Sequence, residues 1–161
     1  MQNTISQISQ SLKQYEPAIF ILGTSQLLVY AHNGMKRQFH ITTGANGFGE
    51  THNSFKTPRG WHYIRATIGV SLPEDTYFSA RRPSHTPTDI SSRILWLCGI
   101  EPHNHQPKHH SMSRYIYIHG TPKPFLKTPQ SLGCINMRNQ DINALALLIP
   151  SYCKVYIDSG E

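Results

Sequence analysis

Every apolar run in this 161-residue chain is short and is cut off by turn residues. Ala18-Ile19-Phe20-Ile21-Leu22 stops at Gly23, and Gln26 to Ala31 stops just before Asn33-Gly34. Asn-Gly is a strong signal for a two-residue hairpin, because the favoured turn needs φ > 0 at both central positions. Eleven Gly and eleven Pro interrupt the chain too often for a helical bundle or a coiled coil. No apolar stretch approaches the ~20 residues of a membrane-spanning helix. The reading is one mainly β domain with a few helices.

Strands are expected at Ala18 to Leu22, Gln26 to Ala31, Lys36 to Thr43, Trp61 to Val70, Arg93 to Leu97, Arg114 to His119 and Cys153 to Asp158. Gly44 to Gly49 reads as a mobile loop; its glycine order is wrong for dinucleotide binding and no helix follows it. Thr57-Pro58-Arg59-Gly60 reads as a tight turn. Residues 71–92 mix Pro, Ser, Thr and Arg without a period, as a long surface excursion would. Asp141 to Ile149 has Ile142, Leu145, Ala146 and Ile149 on one helical face, with Asn139 or Asp141 available as the cap. Ile5, Ile8, Leu12 and Tyr15 recur at helical spacing, which predicts an amphipathic helix over residues 1–17 packed on a single domain, residues 18–161. Met1 to Gln14 is polar and has neither the basic start nor the apolar centre of a secretory signal, so the expected location is the cytoplasm if Met1 is the natural start and the periplasm otherwise.

The formal charge is +6, but the Lys and Arg are scattered, with Lys36-Arg37 and Arg81-Arg82 the only adjacent pairs. Nucleic-acid binding wants a basic stripe with interleaved aromatics, so no nucleic-acid partner is expected. Cys98 and Cys153 sit in apolar stretches and read as buried, inert thiols. None of the three cysteines has a Cys neighbour at zinc-ligand spacing. His103, His105, His109 and His110 crowd a Pro-containing polar loop, read as solvated with adventitious metal affinity; no metal and no cofactor is expected.

Chemistry concentrates in Tyr115-Ile116-Tyr117-Ile118-His119-Gly120 and Ser131-Leu132-Gly133-Cys134-Ile135-Asn136-Met137. Strand alternation puts Tyr117 and His119 on the face opposite Ile116 and Ile118, with His119 ending the strand and Gly120 permitting close approach of another segment. Cys134 follows a glycine, in a stretch that begins as a turn and leads to a helix. A thiol within reach of an imidazole can be held as thiolate and attack a carbonyl, with backbone N–H groups around Gly133 and Cys134 holding the oxyanion.

These two segments resemble the signature of YkuD-type L,D-transpeptidase catalytic domains. Gln26 to Tyr30 is similar to that family's opening strand and Thr57-Pro58-Arg59-Gly60 to its TP-x-G turn. Arg93 to Leu97 and Arg114 to His119 resemble a proteobacterial branch, and Asp141 to Asp158 matches the closing helix and strand. The resemblance covers roughly residues 26–157. It implies a β-sandwich-like catalytic fold and a cysteine acyl-enzyme working on peptidoglycan stem tetrapeptides or soluble muropeptides, cut before the terminal D-Ala. Cys134 is then the nucleophile and His119 its base, Gly133 part of the oxyanion hole, and Gly120 and Ser131 the frame of the site.

Two positions depart from the family pattern. Leu132 stands where His is usual, and Asn136 where many members carry Arg. Asn cannot supply a bidentate cation for a carboxylate, so substrate anchoring is expected from Arg138 or Arg114 around Asn136. The expected outcome is hydrolysis, an L,D-carboxypeptidase of murein recycling. The alternatives are a periplasmic L,D-transpeptidase that cross-links or exchanges D-amino acids and, more remotely, a non-catalytic module binding wall fragments or metal.

Overall fold

A computed structural model describes residues 13–126 and 128–160. The helix expected over residues 1–17 falls almost wholly outside them. Its described end, Lys13–Tyr15, is a 3-10 turn whose Tyr15 ring lies 4.8 Å from that of Trp61.

Ten strands follow in chain order: β1 (Ala18–Leu22), β2 (Leu27–His32), β3 (Met35–Thr42), β4 (Gly60–Ile68), β5 (Tyr77–Ser79), β6 (Arg82–Ser84), β7 (Ser91–Gly99), β8 (Tyr117–Thr121), β9 (Ile135–Arg138) and β10 (Lys154–Asp158). Among the described residues one α-helix, α1 (Asn139–Leu148), lies between β9 and β10. The sheet order is β4-β10-β1-β2-β3-β9-β8-β7-β5-β6, and β4 also pairs with β7. That extra pairing closes the sheet into a barrel-like ring from β4 round to β7, with the β5–β6 hairpin attached outside. Closure removes the exposed edges that an open sheet would present. The mainly β fold expected from the sequence is what forms.

Alternation along the strands builds the core. Ile19 and Ile21, Leu28 and Tyr30, Leu95 and Leu97, Ile135 and Met137, and Val155 and Ile157 all turn into one cluster. Helix α1 presses Ile142 and Leu145 into the same cluster. At ~25 cal/mol per Å2 each such buried side chain contributes about 1.5–3 kcal/mol. Cys98 and Cys153 are buried as expected.

The Asn33-Gly34 hairpin forms, with φ of 50° and 79°. Four local readings differ. The glycine loop after β3 is not loose: Ala45 N–H donates to the Ser131 carbonyl at 2.9 Å and Gly49 N–H to the Thr57 carbonyl at 2.9 Å. Residues 71–92 hold the β5–β6 hairpin, turned through Ala80 and Arg81 at φ 46° and 65°. Neither residue is a usual left-handed turn former, but Arg81 is held by stacking 4.7 Å over Trp96 and 4.9 Å over Tyr115 and by donating to the Tyr117 hydroxyl at 2.9 Å. The β8 strand runs past His119 to Thr121, and the stretch after Cys134 is the strand β9 before it is a helix. Finally, Arg138 occupies the cap position of α1 without a side-chain cap bond, because Asn139 Oδ1 instead accepts from Ser91 Oγ at 2.6 Å.

Two histidines are locked neutral in this interior. His62 contacts the Gly60 carbonyl at 3.0 Å and Ser111 Oγ at 2.8 Å, and His119 contacts the Gly120 carbonyl at 2.7 Å. Burial pushes both down to about 4 against the backbone hydrogen bonds that raise them. Unfolded, each takes a proton near 6.5; folded, only near 4. The unfolded state therefore binds more protons in that window, and stability falls with falling pH at up to ~1.4 kcal/mol per pH unit per histidine. Urea unfolding is expected to lose stability steadily from pH 6.5 to 4.5, and His62→Gln to flatten that slope. An unchanged slope in His62→Gln contradicts the assignment.

Candidate active site

The parallel ladder between β8 and β9 sets the site. It pairs Ile118 with Ile135, His119 with Asn136 and Gly120 with Met137. Cys134, one residue before β9, thereby arrives beside the strand that carries His119. Gly120 is required there: a Cβ would lie 2.5 Å from the Ser91 carbonyl oxygen and 2.7 Å from Asn139 Oδ1. Close backbone approach, rather than strand termination, is its role.

The turn before Cys134 is tied on both sides. Gly133 has φ 114°, a conformation other residues rarely adopt. Its N–H donates to Ser131 Oγ at 3.1 Å, and Ser131 Oγ–H donates to the Cys134 carbonyl. Its carbonyl accepts from Thr57 Oγ1 at 3.0 Å, while Thr57 Oγ1 accepts from Gly44 N–H at 2.8 Å. One fully buried hydroxyl thus joins the glycine loop, the extended Thr57-Pro58 segment and the cysteine turn.

His119, Cys134, Ser131, Leu132 and Asn136 line a cavity of about 260 Å3, with Asp89 and Lys123 also on its wall. Asp89 and Lys123 are paired at 3.1 Å and well exposed, a contact of little energetic weight. Leu132 is 76% exposed and also borders a second hollow of about 300 Å3, lined by Phe55, Arg114 and Tyr115 among others.

The imidazole's Nδ1 is engaged by the Gly120 carbonyl, which fixes the tautomer with Nδ1 protonated and leaves Nε2 as the acceptor nitrogen. A backbone carbonyl therefore orients the ring. The thiol is bonded to neighbouring backbone, not to the imidazole: Sγ–H donates to the Tyr115 carbonyl at 3.5 Å and Tyr117 N–H donates to Sγ at 3.4 Å. Cys134 packs against the cluster of Phe78, Ile94 and Tyr117. Burial there pushes the thiol up to about 11, although the Tyr117 N–H and the Arg114 charge both favour the thiolate. The resting pair is therefore neutral thiol and neutral imidazole, and the thiolate expected from the sequence does not persist at neutral pH. Proton transfer has to accompany attack.

Of the other expected residues, Gly133 has its N–H committed to Ser131, and the backbone donor aimed at the sulfur is Tyr117 N–H. Asn136 borders the cavity with a buried Oδ1 that lacks a partner. Arg114 is near but occupied, donating to the Lys56 carbonyl at 2.6 Å and to the Gly49 carbonyl at 3.4 Å. Arg138 is not brought to this cavity. Its guanidinium lies 5.1 Å over Phe125 and borders a separate hollow of about 400 Å3. Sequence reasoning missed the tying role of Thr57, and its tight turn over Thr57 to Gly60 is corrected: the segment is extended, with Thr57 bridged to Phe48 and Gly60 opening β4. It also missed Arg81, whose position gave no signal at all.

The family model described as YkuD, L,D-transpeptidase catalytic domain, matches residues 16–157. No curated protein matches the chain significantly. Solved structures similar in fold include an L,D-transpeptidase from Xylanimonas cellulosilytica (TM-score 0.51, 19% identity, covering 88% of this chain and 59% of that one). Bdellovibrio bacteriovorus Bd1075 aligns with TM-score 0.57 and 15% identity over 91% of this chain and 49% of its own. L,D-transpeptidase 3 from Mycobacterium tuberculosis aligns with TM-score 0.56 and 13% identity, covering 88% and 60%, and a second structure of it holds a faropenem-derived adduct. The chain thus spans about half to three-fifths of the length of these structures.

Two outcomes follow from the geometry. Iodoacetamide alkylation of Cys134, mapped by peptide mass, is expected to rise about tenfold per pH unit from pH 7 to 10 without a plateau. A plateau by pH 8 means a stabilised thiolate. Thr57→Val removes both bonds of a buried hydroxyl and is expected to cost about 1–3 kcal/mol in urea unfolding. A loss under about 0.5 kcal/mol contradicts the tying role.

Proposed function

The chain belongs to the YkuD family of L,D-transpeptidase catalytic domains, and from that membership we propose that it is a cysteine acyl-transfer enzyme acting on peptidoglycan stem tetrapeptides. The observation that carries this reading is the shared cavity of Cys134 and His119, with Nδ1 of the imidazole held by the Gly120 carbonyl. Such an imidazole can act only through Nε2, the arrangement a general base needs.

His119 Nε2 takes the thiol proton as Sγ bonds to the carbonyl carbon of the L-centred residue before D-Ala. The Tyr117 N–H, directed at the sulfur, supports the negative charge that builds there as the proton leaves. Collapse breaks the C–N bond, and the imidazolium gives its proton to the departing D-Ala amine. A neutral resting pair suits this sequence, since its charges appear only once substrate dipoles are present to meet them.

The thioester is then hydrolysed: water gives a proton to His119 Nε2, attacks the thioester carbon, and the thiol is released with a tripeptide carboxylate. Leu132 supports water as acceptor, because an exposed apolar side chain at the cavity wall offers no hydrogen bond to an incoming amine. In this role the enzyme trims soluble muropeptides in the cytoplasm during murein recycling. The second reading, transfer to an amine in the periplasm, is favoured by the hollow on the other side of Leu132, which has room for an acceptor.

Incubation with a soluble tetrapeptide, with and without an added D-amino acid, separates the two. Tripeptide and free D-Ala are expected to dominate; a predominance of exchanged tetrapeptide or cross-linked dimer establishes transfer instead. Faropenem is expected to add once to the intact protein and not to Cys134→Ala. His119→Ala is expected to slow that acylation ~10²–10⁴-fold, and near wild-type acylation removes His119 as the base.

A further inference from the structure

Away from this cavity, the chain leaving β7 folds back over the strand's outer face. Leu95 and Leu97 point into the core, so alternation turns Trp96 and Cys98 to the other side. The fold-back is fixed by Asn104, which is fully buried. Its Nδ2 donates to the Arg59 carbonyl at 2.9 Å and the Trp61 carbonyl at 3.0 Å, and its Oδ1 accepts from Glu101 N–H at 3.0 Å. Ser111 N–H then donates to the Asn104 carbonyl at 3.1 Å, closing the loop on itself. His105 and His110, the residues just inside that closure, are held side by side with ring centroids 4.3 Å apart.

Both rings stand against the Cys98 thiol. His105 Nδ1 is 4.0 Å from Cys98 Sγ, and the sulfur and one nitrogen of each ring all lie within 4.8 Å of one another. His105 Nδ1 already contacts the Gly99 carbonyl, but His110 Nδ1 has no such partner. His110 Nδ1 is buried without any hydrogen-bond partner, which in a stable structure calls for a reason. Burial and the neighbouring His105 both lower the His110 pKa, which keeps the ring neutral and its lone pair available.

We propose that Cys98, His105 and His110 form a binding site for a borderline-soft divalent cation of the zinc class, with one coordination position left to water. A tetrahedral ion with Zn–S of ~2.3 Å and Zn–N of ~2.0–2.1 Å holds its ligand atoms roughly 3.3–3.7 Å apart. From separations of up to 4.8 Å, the atoms need to close by up to roughly 1.5 Å. His105 Nδ1 gives up its 2.8 Å contact with the Gly99 carbonyl to do so. Cys98 sheds its proton on binding, as thiol ligands do. The solvated-loop reading of the histidines thus applies to His103, whereas His105 and His110 join a cysteine seven and twelve residues away. The site is independent of the acyl-transfer proposal, because Cys134 and His119 take no part in it. It braces the segment that runs directly into Arg114 and Tyr115.

The test is titration with Co(II) in a Cys134→Ala protein, so that the other reactive thiol cannot contribute, followed by displacement with Zn(II). The expected result is one equivalent of Co(II) with a thiolate-to-cobalt charge-transfer band that Zn(II) abolishes. Adding Cys98→Ser is expected to remove the band. His110→Ala, a milder change to the interior, is expected to weaken Co(II) binding by more than ~10-fold, at least the loss seen when a supporting neighbour of a metal ligand is removed. Cys153→Ser is expected to change neither. Binding without a thiolate band, or a band that survives Cys98→Ser with the fold intact by circular dichroism, shows adventitious chelation by surface histidines and overturns the proposal.

Discussion

Four ladder pairs join β8 to β9 in parallel, from Ile118 with Ile135 to Thr121 with Arg138. Parallel neighbours cannot be linked by a tight hairpin, so the chain must travel between them, and here it spends residues 122–134 doing so. That excursion is what lets a turn reach over the sheet and deliver Cys134 beside His119. Gly120 makes room for β7 and α1 at the same place, since any side chain there collides with Ser91 and Asn139. Packing, pairing and chemistry meet in a few residues of one ladder.

Burial then decides the protonation states. The thiol lies against Phe78, Ile94 and Tyr117, and the imidazole is almost fully enclosed. Low polarity penalises both charged forms, so neither residue is ionised at rest. The surrounding dipoles are nevertheless arranged for charge: Tyr117 N–H and Arg114 both favour a negative sulfur, and the Gly120 carbonyl favours a positive ring. Desolvation wins in the resting protein, and a bound substrate shifts the balance by giving the moving charge a place to go. Thr57 and Arg81 keep the walls of this environment in place, one by bridging two loops with a hydroxyl, the other by pinning a hairpin to Trp96, Tyr115 and Tyr117.

The strands with regular alternation were legible residue by residue, as were the Asn33-Gly34 turn and the helix carrying Ile142 and Leu145. The short β9 was not, because four residues between a glycine turn and a helix carry too little pattern, and its strand conformation is imposed by β3 and β8 on either side. The β5–β6 hairpin was invisible for a different reason. Its turn is Ala80-Arg81, and long-range contacts of Arg81, rather than local preference, hold the left-handed backbone. Arg138 and Arg114 were chosen as anchors on charge alone, and charge says nothing of direction: one guanidinium lies over Phe125 and the other is spent on carbonyls.

What the sequence determined by itself was local: the strand periodicity, the turn residues, and the combination of a His-Gly strand with a Ser-x-Gly-Cys turn that marks the family. These are properties of neighbours along the chain, and neighbours interact whatever the rest does. Closure of the ring through β4 and β7, the neutral state of Cys134 and His119, and the meeting of Cys98 with His105 and His110 were decided only by the tertiary structure. Each depends on which distant segments exclude water from a given atom, and that is fixed only once the sheet has closed.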